Sequence, residues 1–502
     1  MNLFTSTEVP MFGYYSPGEI QLPQRRRFLQ QSGLGFSSLA LASLLHAESP
    51  GQDPASNPAA SGAPADPLAL RPPHFPSRVR SIIWLFMTGG PSQVDTWDYK
   101  PELQARDGQD LSGADPKTGF FTTSGKCLKS PFEWKQHGES GTWVPDLFPK
   151  LSQHVDRMCF LHSMYLRQNN HAPASIELMC GTNRPGLPAL GAWMTWGLGS
   201  QNQNLPACVV MHDTRPRGDD QIWSAGFLPK TFQAMALDAR RNEAIDNLSR
   251  DARRSEAQQR AQLDLLRELN QSHASSRPTQ SDLAARINSF ELAFRMQMAA
   301  PEALDLSAES QSTQALYGLD QPACSTFGRQ CLLARRLVER GVRFVQIFAG
   351  KGVGGDGSVN DVPWDCHSDV ETNHRSCGLH TDQPAAALLT DLEARGLLDS
   401  TLVIWGGEFG RTSDSQGSKG RDHNPNGFTI WMAGAGIKGG LHYGATDPFG
   451  YKAVENKIHV NDLHATLLHL LGLEHTRLTW RFNGRDFRLT DVGGQVIHDI
   501  LA

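Results

Sequence analysis

Residues 401–434 read TLVIWGGEFGRTSDSQGSKGRDHNPNGFTIWMAG, two apolar runs separated by a polar, glycine-rich loop. The two runs are almost continuously hydrophobic, which is typical of strands that are buried on both faces of a sheet. The loop between them carries Glu408, Arg411, Asp422 and His423 among glycines and small polar residues. The stretch therefore predicts two core strands joined by either a metal or anion site or an ordinary polar surface loop.

Apolar runs of the same kind recur along the chain and indicate an α/β fold. Helical patterns lie between them, and the pattern over residues 384–399 ends just before the strand that begins at 401. This alternation of strand, loop and helix predicts a mostly parallel sheet flanked by helices. The predicted strands are residues 79–87, 157–164, 206–211, 341–349, 401–406 and 427–434.

One segment, residues 231–300, departs from this alternation. It is charged, rich in Gln and Arg, and shows no strand pattern. Its leucines recur at helical spacing, so we expect a helical insertion whose leucines pack onto the α/β body.

The N-terminus predicts targeting rather than folded structure. Arg25, Arg26 and Arg27 precede a modest apolar segment and a small-residue cleavage site, as in Tat signal peptides. We therefore expect a signal peptide over residues 1–47, export to the periplasm, and a single domain over residues 77–502. The Pro/Ala-rich residues 48–76 predict a disordered linker.

Composition excludes several classes of protein. The net charge of −5 over 502 residues argues against a nucleic-acid-binding protein, which usually presents a basic face. No apolar run of about 18 residues follows the N-terminus, so we expect no membrane span. The eight cysteines contain no CxxC pair, which excludes zinc-ribbon spacing and favours buried free thiols.

Polar residues follow each predicted strand, where ligands collect in open α/β sheets. Carboxylate and imidazole ligands without thiolates suit Zn, Mn, Mg, Ca or Fe. Because such residues recur at one edge of the sheet, they predict a metal site. The candidates are Asp95 and Asp98 after 79–87, Asn169, Asn170 and His171 after 157–164, Asp365 and His367 after 341–349, and Glu408, Arg411 and His423 after 401–406.

The motifs GGPSQVDTWD, NHAPASIELMCGT, WDCHSD, LLDSTLVIWGGEFGRT and GRDHNPNGFTIWMAGAGIKGG resemble the DUF1501 family of exported bacterial proteins. That family belongs to the alkaline phosphatase/sulfatase superfamily, so the resemblance implies an alkaline phosphatase-like core. It also implies two divalent metal ions, Zn, Mn, Mg or Ca. The first ion would be held by Asp365, His367 and His423, and the second by Asp95 and Glu408.

The resemblance departs from sulfatases at the nucleophile, because His171 stands where a Cys or Ser is usual. Three roles stay open for His171. It is an additional metal ligand with attack by metal-bound hydroxide, a covalent imidazole nucleophile, or a ligand in a site that has lost catalysis. The first is favoured among the catalytic routes, because a divalent ion brings the pKa of water close to neutral.

Arg411 is predicted to clamp a sulfate or phosphate oxygen, or else to form a surface salt bridge, and Asn170 is predicted to hydrogen-bond the same anion. Asp98 and Asp382 are both candidates for orienting a ligand, but for Asp382 the favoured role is to cap a helix that begins near Pro384. The sequence thus predicts an exported metal-dependent hydrolase of sulfate or phosphate esters, whose substrate is an anionic small molecule or polysaccharide. The alternative is a non-catalytic, metal-containing protein that binds an anionic polysaccharide or a protein partner.

Overall fold

The computed structural model describes residues 66–111, 118–121, 125–212, 216–238, 253, 255–275, 281–349, 352–353, 359–360 and 362–502. The predicted signal peptide and residues 48–65 of the predicted linker lie outside this part of the chain. The end of the linker prediction needs correction, because Leu68 is buried and Arg71 donates hydrogen bonds to the carbonyls of Pro67 and Trp196. These contacts place this segment against helix residues of the α/β body.

The apolar runs form strands of a nine-stranded sheet in the described part of the chain, and all six predicted strands are confirmed. The short strands β4, β8 and β9 were not predicted. The strands are β1 (Ser81–Phe86), β2 (Met158–Tyr165), β3 (Cys208–His212), β4 (Met235–Leu237), β5 (Phe344–Phe348), β6 (Thr401–Gly406), β7 (Phe428–Gly434), β8 (Leu441–Tyr443) and β9 (Ile458–His459).

The sheet is mostly parallel, as predicted. Its order is β8-β2-β7-β6-β1-β5-β3-β4, and β9 also pairs with β2. Only β7 runs antiparallel to its neighbours β6 and β2, and the other described pairs of this sheet are parallel. Phe86 pairs with both Gly406 and Phe348, so β1, β5 and β6 end at one level. The loops that follow these three strands therefore begin side by side.

Helices cover both faces of the sheet. Ile82, Trp84 and Phe86 of β1 belong to one apolar core, whereas Ile83 and Leu85 belong to another, because successive strand residues point to opposite faces. The first core includes residues of α3, α4 and α10, and the second includes residues of α8 and α9. The helices are α1 (Gln93–Thr96), α2 (Pro101–Ala105), α3 (His171–Cys180), α4 (Leu190–Leu198), α5 (Glu256–Ser275), α6 (Ser281–Leu304), α7 (Gln311–Leu316), α8 (Ser325–Glu339), α9 (Val370–Ala394) and α10 (Val460–Leu470).

The predicted capping role of Asp382 is wrong, because α9 begins at Val370 and Pro384 lies inside it. The Asp382 carboxylate instead accepts hydrogen bonds from the backbone N–H groups of Lys150 (2.9 Å) and Leu151 (2.8 Å). Proline is common in the first turn of a helix, which made Pro384 resemble a helix start. The side chain of Asp382 thus fixes a neighbouring turn to the middle of α9.

The segment 231–300, predicted as a helical insertion, contains α5 and most of α6, but it is not free of strands. Its first residues form β4 at the edge of the sheet. The leucines of α5 are also placed differently from the prediction, since Leu265, Leu266 and Leu269 are exposed. The body is instead contacted through α6, where Met296 and Ala300 are buried. No helix in the described ranges combines the length and the hydropathy that a membrane span requires.

A buried charge network holds α8 against α9. The guanidinium of Arg335 lies 2.7 Å from Glu309, 2.8 Å from Glu339 and 2.9 Å from Asp391, and its side chain is 1% exposed. The Tyr317 hydroxyl donates a further hydrogen bond to Asp391 over 3.0 Å. Removing the guanidinium would take from Glu309 and Asp391 their most deeply buried cation and leave them Arg336 and Arg395, respectively, as charged partners.

We therefore expect Arg335→Leu to lower the free energy of unfolding by about 1–3 kcal/mol in urea titrations followed by circular dichroism. Arg375→Leu is the control, because the Arg375 side chain is 44% exposed in its pair with Asp146. It should change the free energy of unfolding by less than about 1 kcal/mol. Equal effects of the two substitutions would show that the Arg335 network does not hold the helices together.

Candidate metal centre

A cluster of ionisable side chains lies at the carboxyl ends of the parallel strands, where ligands bind in open α/β sheets. His171 is the first residue of α3, in the connection that leaves β2. Asp365 and His367 lie in the segment before α9. His423 lies in a two-residue strand that pairs with Gly410–Arg411, and this partner strand follows β6 closely. Segments that are far apart in sequence therefore meet at one place.

Four of these side chains could hold a metal ion, since one ligand atom from each lies within 4.8 Å of the others: His171, Asp365, His367 and His423. The Nε2 atoms of the three histidines surround one oxygen, Oδ1 of Asp365. Their distances to it are 3.3 Å from His171, 2.8 Å from His367 and 3.4 Å from His423. The Nε2 atoms of His367 and His423 are 3.0 Å apart.

Each of the three imidazoles is oriented by an oxygen that contacts its Nδ1 atom. An oxygen of this kind can only accept, so each Nδ1 carries the proton and each Nε2 is left with a free lone pair. Orientation of metal-bound histidines by such oxygens is a recurrent feature of metal sites. The pairs are His171 with Glu408 Oε1 (2.6 Å), His367 with Gln416 Oε1 (2.5 Å) and His423 with the Asn169 carbonyl oxygen (2.6 Å).

This arrangement fits a divalent cation. Three nitrogen lone pairs and a carboxylate oxygen converge on one point, and such acceptors repel one another unless a cation lies between them. The Nε2 atom of His171 is buried and has no hydrogen-bond partner in the described structure. An unpartnered buried acceptor is costly, and a metal ion would supply the missing interaction.

Electrostatics keep Asp365 and His423 in the forms that bind metal. Burial alone would raise the pKa of Asp365, but the charge of Arg411 holds that pKa well below its usual range. Burial lowers the pKa of His423 to about 3, so its imidazole stays neutral. For His171, burial opposes protonation, but the neighbouring carboxylates of Asp365 and Glu408 raise the pKa. A ligated cation would compete with that proton.

Arg411 does not occupy the predicted position of an anion clamp. Its side chain is fully buried, and its guanidinium donates to Asp365 Oδ1 (2.6 Å) and to the carbonyls of Gly89 and Gly90. No part of it is exposed to an incoming anion, nor does it form the surface salt bridge of the alternative prediction. Arg411 instead fixes Asp365 to the turn after β1.

Asp95 and Glu408, the predicted ligands of a second ion, have other partners. Asp95 is fully buried in an ion pair with Arg421, whose Nε atom lies 2.6 Å from Oδ2. Glu408 accepts hydrogen bonds from the backbone N–H of Gly89 and from His171. Glu408 therefore orients the proposed ligand His171, and Asp95 neutralises the charge of the buried Arg421 guanidinium. The predicted ligand set is corrected accordingly.

Two further candidates from the sequence are Asp98 and Asn170. Asp98 was predicted to orient a ligand, but it pairs with Lys100 over 2.9 Å and accepts a hydrogen bond from Thr446. Asn170 takes the N-cap position of α3 without a side-chain capping hydrogen bond. It is half-buried beside His171, and its contact with an anion stays a prediction.

Sequence patterns did not reveal the residues that support the ligands. Gln416 lies in the Gly/Ser-rich part of the loop, where nothing distinguishes it from a surface residue. Gly420 approaches the backbone of His367 so closely that a Cβ atom would lie 1.7 Å from the His367 carbonyl oxygen. The glycine itself was the available signal, because glycine is typical of positions where two backbones approach closely.

The family of this protein is identified from the sequence of nearly all of its α/β domain. A sequence model of the family described as "Protein of unknown function (DUF1501)" matches residues 79–501. The chain belongs to the DUF1501 family. No curated protein is significantly similar to it in sequence.

Solved structures similar to this DUF1501 protein include hydrolases of anionic esters. A sulfatase from Pseudoalteromonas sp. is 12% identical, with 79% of this chain and 68% of that chain covered and a TM-score of 0.35. A phosphonate monoester hydrolase from Silicibacter pomeroyi is 13% identical (79% and 73% covered, TM-score 0.31). Alkaline phosphatase from the Antarctic bacterium TAB5 is 8% identical (74% and 94% covered, TM-score 0.30). These proteins are of the class that the resemblance predicted, but at such TM-scores they carry no argument about this chain's chemistry.

The close approach at Gly420 gives a direct test of the ligand geometry. We expect Gly420→Ala to displace the backbone of His367 and to reduce metal affinity about 10–100-fold, the range found when residues that orient ligands are changed. Gly493→Ala is the control, because the nearest atom to an added Cβ there is 3.6 Å away. Metal affinity is measured by competition with a chromogenic chelator, and unchanged affinity in Gly420→Ala would contradict the placement of His367.

Proposed function

We propose that this DUF1501 protein is a metal-dependent hydrolase that binds one divalent transition-metal ion. The observation that carries the proposal is the convergence of three oriented imidazoles on Asp365 Oδ1. The ligands are His171, Asp365, His367 and His423. The substrates proposed are sulfate or phosphate esters, either small molecules or polysaccharides.

The ligand set favours Zn²⁺ or a similar ion over Mg²⁺ and Ca²⁺. Three nitrogens and one oxygen suit Zn²⁺, whereas Mg²⁺ and Ca²⁺ prefer oxygen ligands. Ligands about 2.0–2.1 Å from a tetrahedral ion are about 3.3 Å from one another. The Nε2 atoms of His171 and His423 lie 3.3 Å and 3.4 Å from Asp365 Oδ1, close to this value, whereas the Nε2 atom of His367 lies nearer to it, at 2.8 Å.

A single ion is proposed instead of the two that the resemblance implied. The second ion would need Asp95 and Glu408, but their oxygens already have buried partners. Removing Asp95 from Arg421 would leave a guanidinium buried without its counter-charge, which is strongly unfavourable.

A bound ion of this class would supply Lewis acidity and a water of lowered pKa. The protein's own groups prepare the site for it. Glu408 holds the Nδ1 proton of His171 and so makes Nε2 a better ligand, while Arg411 keeps Asp365 ionised. The side chains of Asp365 and His367 are 19% and 24% exposed, so a substrate would approach from their side.

The second candidate function is a non-catalytic, metal-containing protein that binds an anionic polysaccharide or a protein partner. It is favoured by one observation, that the protein supplies four ligands, whereas catalytic zinc sites usually keep one position open. Export by the Tat route, and with it a periplasmic location, also belongs to the proposal and rests on Arg25 and Arg26.

Metal content tests the ligand set and the number of ions. We expect the wild type to contain about one equivalent of zinc by inductively coupled plasma mass spectrometry, and His171→Ala and His423→Ala to contain little. Asp95→Asn should lose stability but keep its metal when the folded fraction is analysed. His498→Ala is the control, because His498 is exposed and contacts His469. Two equivalents that fall together in Asp95→Asn would restore the two-metal arrangement.

Turnover separates the two candidate functions. We expect the zinc-loaded protein to hydrolyse p-nitrophenyl sulfate or phosphate, chelation to abolish this activity, and Glu408→Gln to lower kcat/KM by about 10–100-fold. Asp365→Ala should be inactive, and His498→Ala should match the wild type. A protein that holds zinc but turns over no ester in a broad panel would support the non-catalytic function instead.

A further inference from the structure

Two adjacent phenylalanines stand at the mouth of the metal centre. Phe120 is 47% exposed and Phe121 is 50% exposed, and their rings meet edge to face at 4.9 Å. Each ring also contacts a ligand imidazole. The Phe120 ring lies 5.6 Å from that of His423, and the Phe121 ring lies 5.0 Å from that of His367.

The segment that carries these rings is fastened to the walls of the site. The backbone N–H of Phe121 donates to Asp422 Oδ2 over 2.6 Å. The Asn169 amide donates to the Gly119 carbonyl over 3.0 Å, and Asn426 donates to Thr118 Oγ1 over the same distance. Gly119 lies so close to Asp422 that an added Cβ would be 2.3 Å from its carboxylate. The rings are therefore held at the centre by its own loops.

The two rings lie outside the apolar interior that the described residues form. Neither ring belongs to the three apolar cores of the described residues, yet each is one of the largest apolar side chains that the chain can offer. Exposed neighbouring aromatic residues mark surfaces that bind a ligand or a partner. Because the rings contact His423 and His367, an occupant that covers them would lie beside two of the proposed metal ligands. A substrate meets this condition directly.

We propose that Phe120 and Phe121 form a specificity platform that binds the apolar face of a ring in the non-reacting part of the substrate. This inference rests on the proposed function and narrows its substrate class to esters that carry a ring next to the anionic group. An aryl group and a pyranose both present such a face. Aromatic side chains bind either one through apolar contact that is independent of the charge on the ester.

The test compares ligands that share an anionic group and differ in the ring. Phenylphosphonate and methylphosphonate are not hydrolysed by ester cleavage, so their Kd values can be measured by isothermal titration calorimetry on the zinc-loaded protein. We expect the wild type to bind phenylphosphonate about tenfold more tightly, which corresponds to burial of part of a ring. A 6-phosphonate analogue of glucose, measured beside them, shows whether an aryl ring or a pyranose is preferred.

Phe120→Ala and Phe121→Ala should remove this preference while the Kd for methylphosphonate and the zinc content stay unchanged. Phe121→Trp should restore the preference, which a merely structural role would not predict. Phe290→Ala is the matched control, because Phe290 is 41% exposed on α6. The platform is overturned if the alanine variants keep the preference, if they weaken both ligands equally, or if the wild type binds neither or does not discriminate.

Zinc content and ester turnover are measured on the same preparations, so the two proposals fail separately. A ring preference without turnover would overturn the hydrolase and retain the platform as a ligand-binding surface. Turnover without ring preference would retain the hydrolase and overturn the platform.

Discussion

The buried ion pair between Arg411 and Asp365 is the constraint on which the metal centre depends. A fully buried guanidinium is tolerated only if its donors find acceptors, and here these are Asp365 Oδ1 and carbonyls of the turn after β1. The pair fixes one carboxylate oxygen at the end of the central strand. Three imidazoles then face that oxygen, and the position of each is set relative to it.

The loops around the site are coupled through the atoms that orient the imidazoles. Glu408 joins His171 to Gly89, so it ties the start of α3 to the end of β1. Asn169 uses its carbonyl to orient His423 and its amide to hold the segment that bears the two phenylalanines. Binding of an ion would thus stabilise loops from several strands at once, because the ligands lie far apart in sequence.

The sequence predicted what local patterns determine and missed what distant partners determine. Hydrophobic runs located the principal strands, and the rule that ligands collect at strand ends placed Asp365, His367 and His423 correctly at one site. Asp95, by contrast, was expected from the resemblance to bind metal, and its actual partner, Arg421, lies 326 positions away. Whether a charged side chain meets an ion or an opposite charge is decided by tertiary packing, which no spacing along the chain records. For the same reason, the sequence could not predict whether Arg411 is exposed or buried.

The position of His171 carries the largest chemical consequence. The resemblance places the superfamily's nucleophile there, but the Nδ1 atom of His171 is committed to Glu408 and its Nε2 atom faces Asp365 and the other ligands. Once an ion is bound, neither nitrogen is free to attack a substrate, so the geometry favours the role of ligand over that of nucleophile. In the proposed site, the position of the superfamily's covalent nucleophile is therefore occupied by a metal ligand, His171. Under the proposed hydrolase function, the nucleophile would come from solvent, and groups outside the ligand set, such as the two exposed rings beside it, would position the substrate.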